Sequence, residues 1–302
     1  MRVLAVIPHY FAGSPDGKHG SERADAADQR AAALSAAICG LRQNLGAKQW
    51  RANVRRLTGE SVTGADGEPV QRGELHCSMA NVPHRAAALD IVVVTTAGRH
   101  LAGRLGHLPQ GWFETVSVDV PPRQLGFACQ DVLAARAEGY DWLCYLEDDV
   151  IVSDPLFLTK VAFVETETGG EAVLMPNRFE LLLGRHIEKL YVDGPHSHGF
   201  TAAWQDVSMH RRFHIRLLNS VVEIERATNP HAGCFFISAR QFARWRSKPW
   251  FGSRDSSFVG PLESAATLGL MKTFRLYKPA VACAGFLEAE HRNNRKWLGF
   301  DP

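Results

Sequence analysis

Three consecutive carboxylates, Glu147, Asp148 and Asp149, interrupt the otherwise apolar stretch YDWLCYLEDDVIVSDP, Tyr140 to Pro155. Leu143 to Leu146 and Val150 to Val152 read as strand, so like charges meet at a strand end where burial is costly. Side chains alternate in direction along a strand, which puts two acids on one side and the third on the other. Hard oxygen ligands near a sheet edge suit Mg²⁺ or Mn²⁺, ions that keep several waters and bridge to a substrate diphosphate. Such a cation would cancel the repulsion within the triplet and neutralise charge on a departing diphosphate. The alternative is a solvated turn with its acids in water, in keeping with the turn-like SDP that follows.

The elements around the triplet must position it. RVLAVIP reads as a short buried strand ended by Pro8, with residues 8 to 20 as a loop at its carboxyl end. Ser21 is the expected N-cap of an Ala-rich helix that runs to about Leu45 and stops at Gly46. Gly59 to Gly73 reads as a surface loop or hairpin. Asp90 to Gly98 and Glu114 to Val120 are the second and third strands, and a helix from Gln124 to Glu138, closed by Gly139, leads into the acidic strand. Apolar strands alternating with helices predict an α/β domain whose parallel sheet is covered on both faces, with ligands at the carboxyl ends of its strands.

The second half is less regular. Ala172 to Leu181, Ala232 to Ser238 and Phe274 to Ala282 read as strands, Ala239 to Trp245 and Gly260 to Leu270 as helices, and EAEHRNNRKW as a polar tail. With no repeat and no clear linker, the 302 residues are expected to form one domain of two abutting halves, about 1–152 and 153–302.

The 34 basic and 32 acidic residues leave a net charge of +2, which argues against nonspecific nucleic-acid binding. No two of the six cysteines form a C-x-x-C pair, so they read as reduced, buried small hydrophobes. The run Val3 to Ile7 is too short for a secretory signal, and no apolar stretch is long enough to span a bilayer. A cytoplasmic protein is the expectation.

The segment YDWLCYLEDDVIVSD resembles the D-x-D region of the GT-A glycosyltransferases, in the E-D-D form of some inverting members. The resemblance is sharp only around Glu147 to Asp149, and it covers most of the chain in order of elements. It implies a Rossmann-like mixed sheet flanked by helices, a nucleotide-sugar donor, a carbohydrate or other hydroxyl-bearing acceptor, and Mn²⁺ or Mg²⁺ as cofactor. By the same resemblance Asp149 is the direct metal ligand, while Glu147 and Asp148 contact the nucleotide's sugar or the metal's waters. His291, in EAEHRNN, would be a further metal ligand, with Arg292, Arg295 and Lys296 near the diphosphate. Pro8, His9 and Tyr10 would line the nucleoside pocket. Gly233, in NPHAGCF, would lie in a loop that passes close to the donor sugar. Glu263, in SSFVGPLESAATLGL, matches the general base that takes a proton from the acceptor hydroxyl as it attacks the anomeric carbon, inverting its configuration. Against this, Glu263 also suits a helix N-terminus by its charge alone. The second strand ends in TTAGRH, where many relatives carry an acidic D-D-x-S run, which leaves the donor's base open.

Two rivals use similar parts. A sugar nucleotidyltransferase typically carries a basic, glycine-rich loop after its first strand, but here PHYFAG has one early glycine and no basic residue before Lys18. A non-catalytic nucleotide-sugar-binding protein would have no need of Glu263. PHSHGF and HRRFHIR lack zinc-site spacing and read as a mobile loop or a solvated basic face. RQFARWRSKPWFGSR reads as an amphipathic helix with an aromatic core face, and its basic residues would also suit peripheral contact with an anionic membrane surface.

Overall fold

A computed structural model describes residues 1–17, 20–47, 50–52, 57–73, 77–79, 88–183 and 187–292. β1 (Arg2–Pro8) leads through a loop to α1 (Ala27–Leu45). The chain then forms two pairs of short strands, Trp50–Ala52 with Cys77–Met79 and Leu57–Thr63 with Pro69–Gly73. β2 (Ala88–Thr96), β3 (Glu114–Val118), α2 (Leu125–Arg136) and β4 (Trp142–Leu146) follow. After the acidic triplet come β5 (Val150–Ile151), α3 (Phe157–Glu167), β6 (Ala172–Leu174), β7 (Asn177–Leu183), β8 (Ile187–Tyr191), β9 (Arg212–Leu217) and β10 (Ser220–Arg226). The described chain closes with β11 (Cys234–Ser238), α4 (Ala239–Arg246), the helical segment α5 (residues 261–271), β12 (Arg275–Pro279) and β13 (Glu288–His291).

The fold is mixed α/β. Its central sheet has the order β11-β4-β1-β2-β3, parallel except for β11. β1 and β4 are buried almost throughout, which is why both read as continuous apolar runs. The chain passes from β1 outward to β2 and β3, then returns past β2 and β1 to β4. Right-handed crossovers in these two directions carry α1 and α2 over opposite faces. The carboxyl ends of β1 and β4 therefore flank a point where strand order reverses, the crevice at which open α/β sheets bind ligands. Two smaller sheets abut the first, β6-β12-β10-β9 and β8-β7-β13-β5. At Gly40 of α1 a Cβ would stand 2.7 Å from the Val152 carbonyl, so only glycine lets the helix lie this close to the end of β5.

Several elements differ from expectation. α1 begins at Ala27 after a short 3-10 turn, because Ser21 is held in the preceding loop, where its carbonyl accepts from Ala12 N–H. Residues 172–181, expected as one strand, form two strands in different sheets. Met175 N–H donates to Tyr277 O and Asn177 N–H to Leu287 O, and Pro176, with no N–H to give, is where the chain changes partners. The basic HRRFHIR contributes most of β9, and the first four residues of the polar tail are β13. The helix at 261–271 is π-wound over Ser264–Leu268, an irregularity that often marks functional sites. Cys39, Cys129, Cys144, Cys234 and Cys283 are unpaired, and among the described residues no helix is long and apolar enough to cross a membrane.

Candidate active site at the carboxyl edge of the parallel sheet

The acidic triplet is the turn by which the chain leaves the central sheet for the β5–β13 sheet. Glu147 N–H donates to Gly233 O at 2.8 Å, and Val150 N–H donates to Glu147 O at 3.1 Å, closing the turn. Each carboxylate meets a different set of partners.

Asp148, only 6% exposed, lies between His9 and Arg30. Leu101 N–H donates to His9 Nε2 at 3.0 Å, so that nitrogen carries the lone pair and Nδ1–H is left to donate to Asp148 Oδ2 at 2.5 Å. Burial works against the Asp148 charge, but Arg30 and His9 outweigh it and lower its pKa. Arg30, from the first turns of α1, also donates from Nη1 to Asp149 Oδ2 at 2.7 Å. Its Nε is buried with no partner.

Asp149 keeps its other oxygen free of Arg30, and strand register brings His291 to it. β13 runs antiparallel to β5 with His291 opposite Val150, and Arg292 N–H donates to Asp149 O at 2.8 Å. His291 Nε2 lies 3.8 Å from Asp149 Oδ1. On its other side Nδ1 pairs with Glu180 Oε1 at 2.9 Å, where parallel β7 runs beside β13. Burial disfavours an imidazolium here, yet Glu180 and Asp149 raise the His291 pKa.

Glu147 has a buried Oε1 with no partner. Burial pushes its pKa up to about 7, with Arg178 and His291 pulling down and Asp149 and Glu263 pushing up. Gly233 packs against it. With φ at +62°, a Cβ there would stand 2.8 Å from Val150 Cγ2 and 2.9 Å from Glu147 Oε2, so the close approach demands glycine.

A buried ionic cluster backs the site. Arg178 forks onto Asp193, with Nη2 to Oδ1 at 2.8 Å and Nε to Oδ2 at 3.0 Å. Lys278 Nζ reaches Asp193 Oδ2 at 3.3 Å and His231 O at 2.7 Å. Burial pushes the Asp193 carboxyl up, but Lys278 and Arg178 hold it well below the usual carboxylate range. Glu263 stands in the first turn of α5, its Oε2 over Gly260, and its charge is felt at Glu147 and Tyr145. Val259, just before this turn, has φ at +57°, a strained conformation for a β-branched residue.

The structure thus brings together His9, Glu147, Asp148, Asp149, Gly233 and His291, with Glu263 within electrostatic reach. Pro8 ends β1 in the core, and Tyr10 is half-buried with its hydroxyl 3.4 Å from Arg99 Nη1. Arg292 turns back onto Glu290, with Nε 2.9 Å from Oε1. Arg295 and Lys296 lie outside the described residues. Arg30, Arg178, Glu180, Asp193 and Lys278 were not foreseen. Of these, only Arg30 carried a local signal, as a cation among the apolar residues of the first turns of an Ala-rich helix.

The donor set is compatible with a divalent cation. Asp149 Oδ1 is free of Arg30, and with Nδ1 held by Glu180, His291 Nε2, 3.8 Å from that oxygen, would offer a lone pair to a cation on losing its proton, the carboxylate–histidine support that ligating imidazoles usually have. Among the described residues no three His, Cys, Asp or Glu side chains form a metal-ligating group. The chain would then supply two ligands, and water and phosphate oxygens the rest, as Mg²⁺ sites commonly do.

No known protein family matches the sequence, and no curated protein matches it. Among solved structures, TarS of S. aureus resembles the chain. TarS 1-349 is 9% identical over 92% of this chain and 58% of that one, with a TM-score of 0.42. Its complex with UDP is 8% identical over 92% and 57%, at 0.41, and its complex with UDP-GlcNAc 9% over 100% and 62%, at 0.39. The chain spans less than two thirds of the length of each.

Proposed function

We propose that the chain is a glycosyltransferase that moves a sugar from a nucleotide-diphosphate donor to a hydroxyl acceptor with inversion at the anomeric carbon. The observation that carries the reading is the pairing of Asp149 with His291, set by strand register at the reversal point of a parallel sheet and supported from behind by Glu180. Asp149 and His291 would hold Mn²⁺ or Mg²⁺, which when bound supplies positive charge to the departing diphosphate. His9 and Arg30 fix Asp148 and so hold the turn in place. Glu147 sits against the Gly233 loop, where a donor sugar would lie. Glu263 takes the proton from the acceptor hydroxyl. Pro8 and Tyr10 flank the nucleoside position.

A thermal-shift screen of nucleotide sugars with and without Mn²⁺ tests the reading, since a ligand that binds the folded state raises the melting temperature by mass action. One donor is expected to stand out and to need the metal. A screen in which no nucleotide sugar shifts melting under either condition overturns the proposal, and a product with retained configuration removes Glu263 as base.

A further inference from the structure

We propose that a cavity beside this site binds an oxyanion (phosphate, sulfate or carboxylate) carried by the acceptor. The identity of the carrier rests on the glycosyl-transfer reading, whereas the oxyanion site itself does not. The cavity measures about 190 Å³, and its charged lining is His196, His198, Arg211, Arg212, Glu225 and Arg226.

Arg226, the last residue of β10, is the central observation. It is 8% exposed, yet its bonds go to neutral acceptors, Gln205 Oε1 at 3.0 Å and Met209 O at 3.4 Å. Its Nε is buried with no partner. Among the described residues no carboxylate lies within ion-pairing distance of it. A guanidinium withdrawn from water with no carboxylate in contact is costly even with the Tyr277 ring 5.7 Å away and the Asp206 charge felt at longer range, and a bound anion would supply a contacting partner. Arg211 is exposed and holds Nη2 3.4 Å from His198 Nε2, so a second guanidinium and an imidazole stand at the same cavity. Arg212 is spoken for by Glu223 at 2.8 Å, and Glu225 is the one acid on the wall. With Glu225 set against the two remaining guanidiniums, the wall keeps a surplus of one positive charge, carried by Arg211 and Arg226, whose planar forks match oxyanions.

The cavity adjoins the candidate active site through two short loops. Asp193 is followed by Gly194 and Pro195, and Thr228 leads through Asn229 and Pro230 to His231. The loops are cross-tied, His196 N–H donating to Thr228 Oγ1 at 3.1 Å and Asn229 Nδ2 to Gly194 O at 3.2 Å. The volume suits a single anionic group and falls short of the several hundred Å³ that drug-sized ligands usually fill, which favours the acceptor over the donor nucleotide.

Titration of the full chain with inorganic phosphate at constant ionic strength, followed by calorimetry and melting temperature, tests the site. Phosphate is expected to stabilise the wild type, Arg211→Ala to weaken its binding by about 10-fold, the size of one charge-assisted hydrogen bond, and Arg226→Gln to weaken it further. Should Arg226→Gln fail to fold, the exposed Arg211→Ala variant decides. In transfer assays the wild type is expected to prefer an acceptor bearing an oxyanion over its neutral analogue by kcat/KM. Arg211→Ala should lose that preference while donor affinity stays as in the wild type. Equal phosphate binding by wild type and Arg211→Ala overturns the site. Loss of donor binding in Arg211→Ala overturns the acceptor assignment, because the cavity would then hold the donor's diphosphate. A failed donor screen with an intact phosphate response counts against the transfer reading and for the oxyanion site.

Discussion

His9 and Asp148, 139 positions apart in the chain, share a 2.5 Å hydrogen bond that fastens the end of β1 to the acidic turn after β4. The other ring nitrogen of His9 accepts from Leu101 N–H. His9→Leu would keep the apolar bulk but leave both partners buried and unsatisfied. The expected loss of unfolding free energy is about 1–3 kcal/mol, read from the midpoint of urea denaturation. An unchanged midpoint would show that the tether contributes nothing to stability.

Asp149→Ala removes the oxygen that faces His291 and one anchor of Arg30. Mn²⁺-dependent donor binding and transfer should both disappear, while the overall fold, with Asp148 still paired to Arg30, persists. Calorimetry with donor and Mn²⁺ checks this, and wild-type binding by the variant would remove Asp149 from the metal site. His291→Ala should weaken the metal dependence in the same direction.

Glu263→Gln preserves shape and takes away the carboxylate proposed to accept the proton. Donor binding should match the wild type, and transfer should slow by at least about 10²-fold, the usual scale of a general-base contribution. Steady-state and single-turnover rates measure it. Wild-type turnover in this variant would leave Glu263 as a helix-terminal charge only.

Gly233→Ala would add a Cβ at φ +62° within 2.8 Å of Val150 Cγ2. Strain of this kind costs about 1–3 kcal/mol, and the displaced Glu147 and Val150 lie on either side of Asp148 and Asp149. A lower melting temperature together with weaker donor binding is the expected result. If only the melting temperature falls, the loop supports the fold without shaping the site.

Asp193 provides the pH test. Its pKa is lowered in the folded protein, so its contribution is complete above the unfolded value of about 4 and drains away as pH falls through the lower folded value. Asp193→Asn leaves Arg178 and Lys278 buried without their counter-charge, a loss of about 3–5 kcal/mol. The stability gap between the wild type and Asp193→Asn should be steady above pH 5 and narrow below about pH 4. A gap that widens on acidification would contradict the assigned ion pairs.

The central sheet was legible because β1, β2 and β4 are buried on both faces and so carry unbroken apolar runs, with Gly46 and Gly139 marking where the helices or their turns end. The acids were legible because nothing apolar explains three of them at a strand end. What surrounds them was hidden. Arg178, Glu180, Asp193 and Lys278 are ordinary charges in sequence, and only the meeting of segments far apart in the chain joins Arg178, Asp193 and Lys278 in one buried cluster and sets Glu180 behind His291. β13 was missed since Ala289 is its one fully buried apolar residue, too little for a period to register. The break at Pro176 was in plain view, but a proline alone does not say that the next residues join a different sheet.

Glu147 to Asp149 form a joint between two sheets, with Gly233 and β4 on one side and β13 on the other. Whatever occupies that joint must grip both plates at once. Loosening β13 against β5, even by a change far from any ligand, would slacken the hold on the occupant, and filling the joint would in turn clamp the plates together.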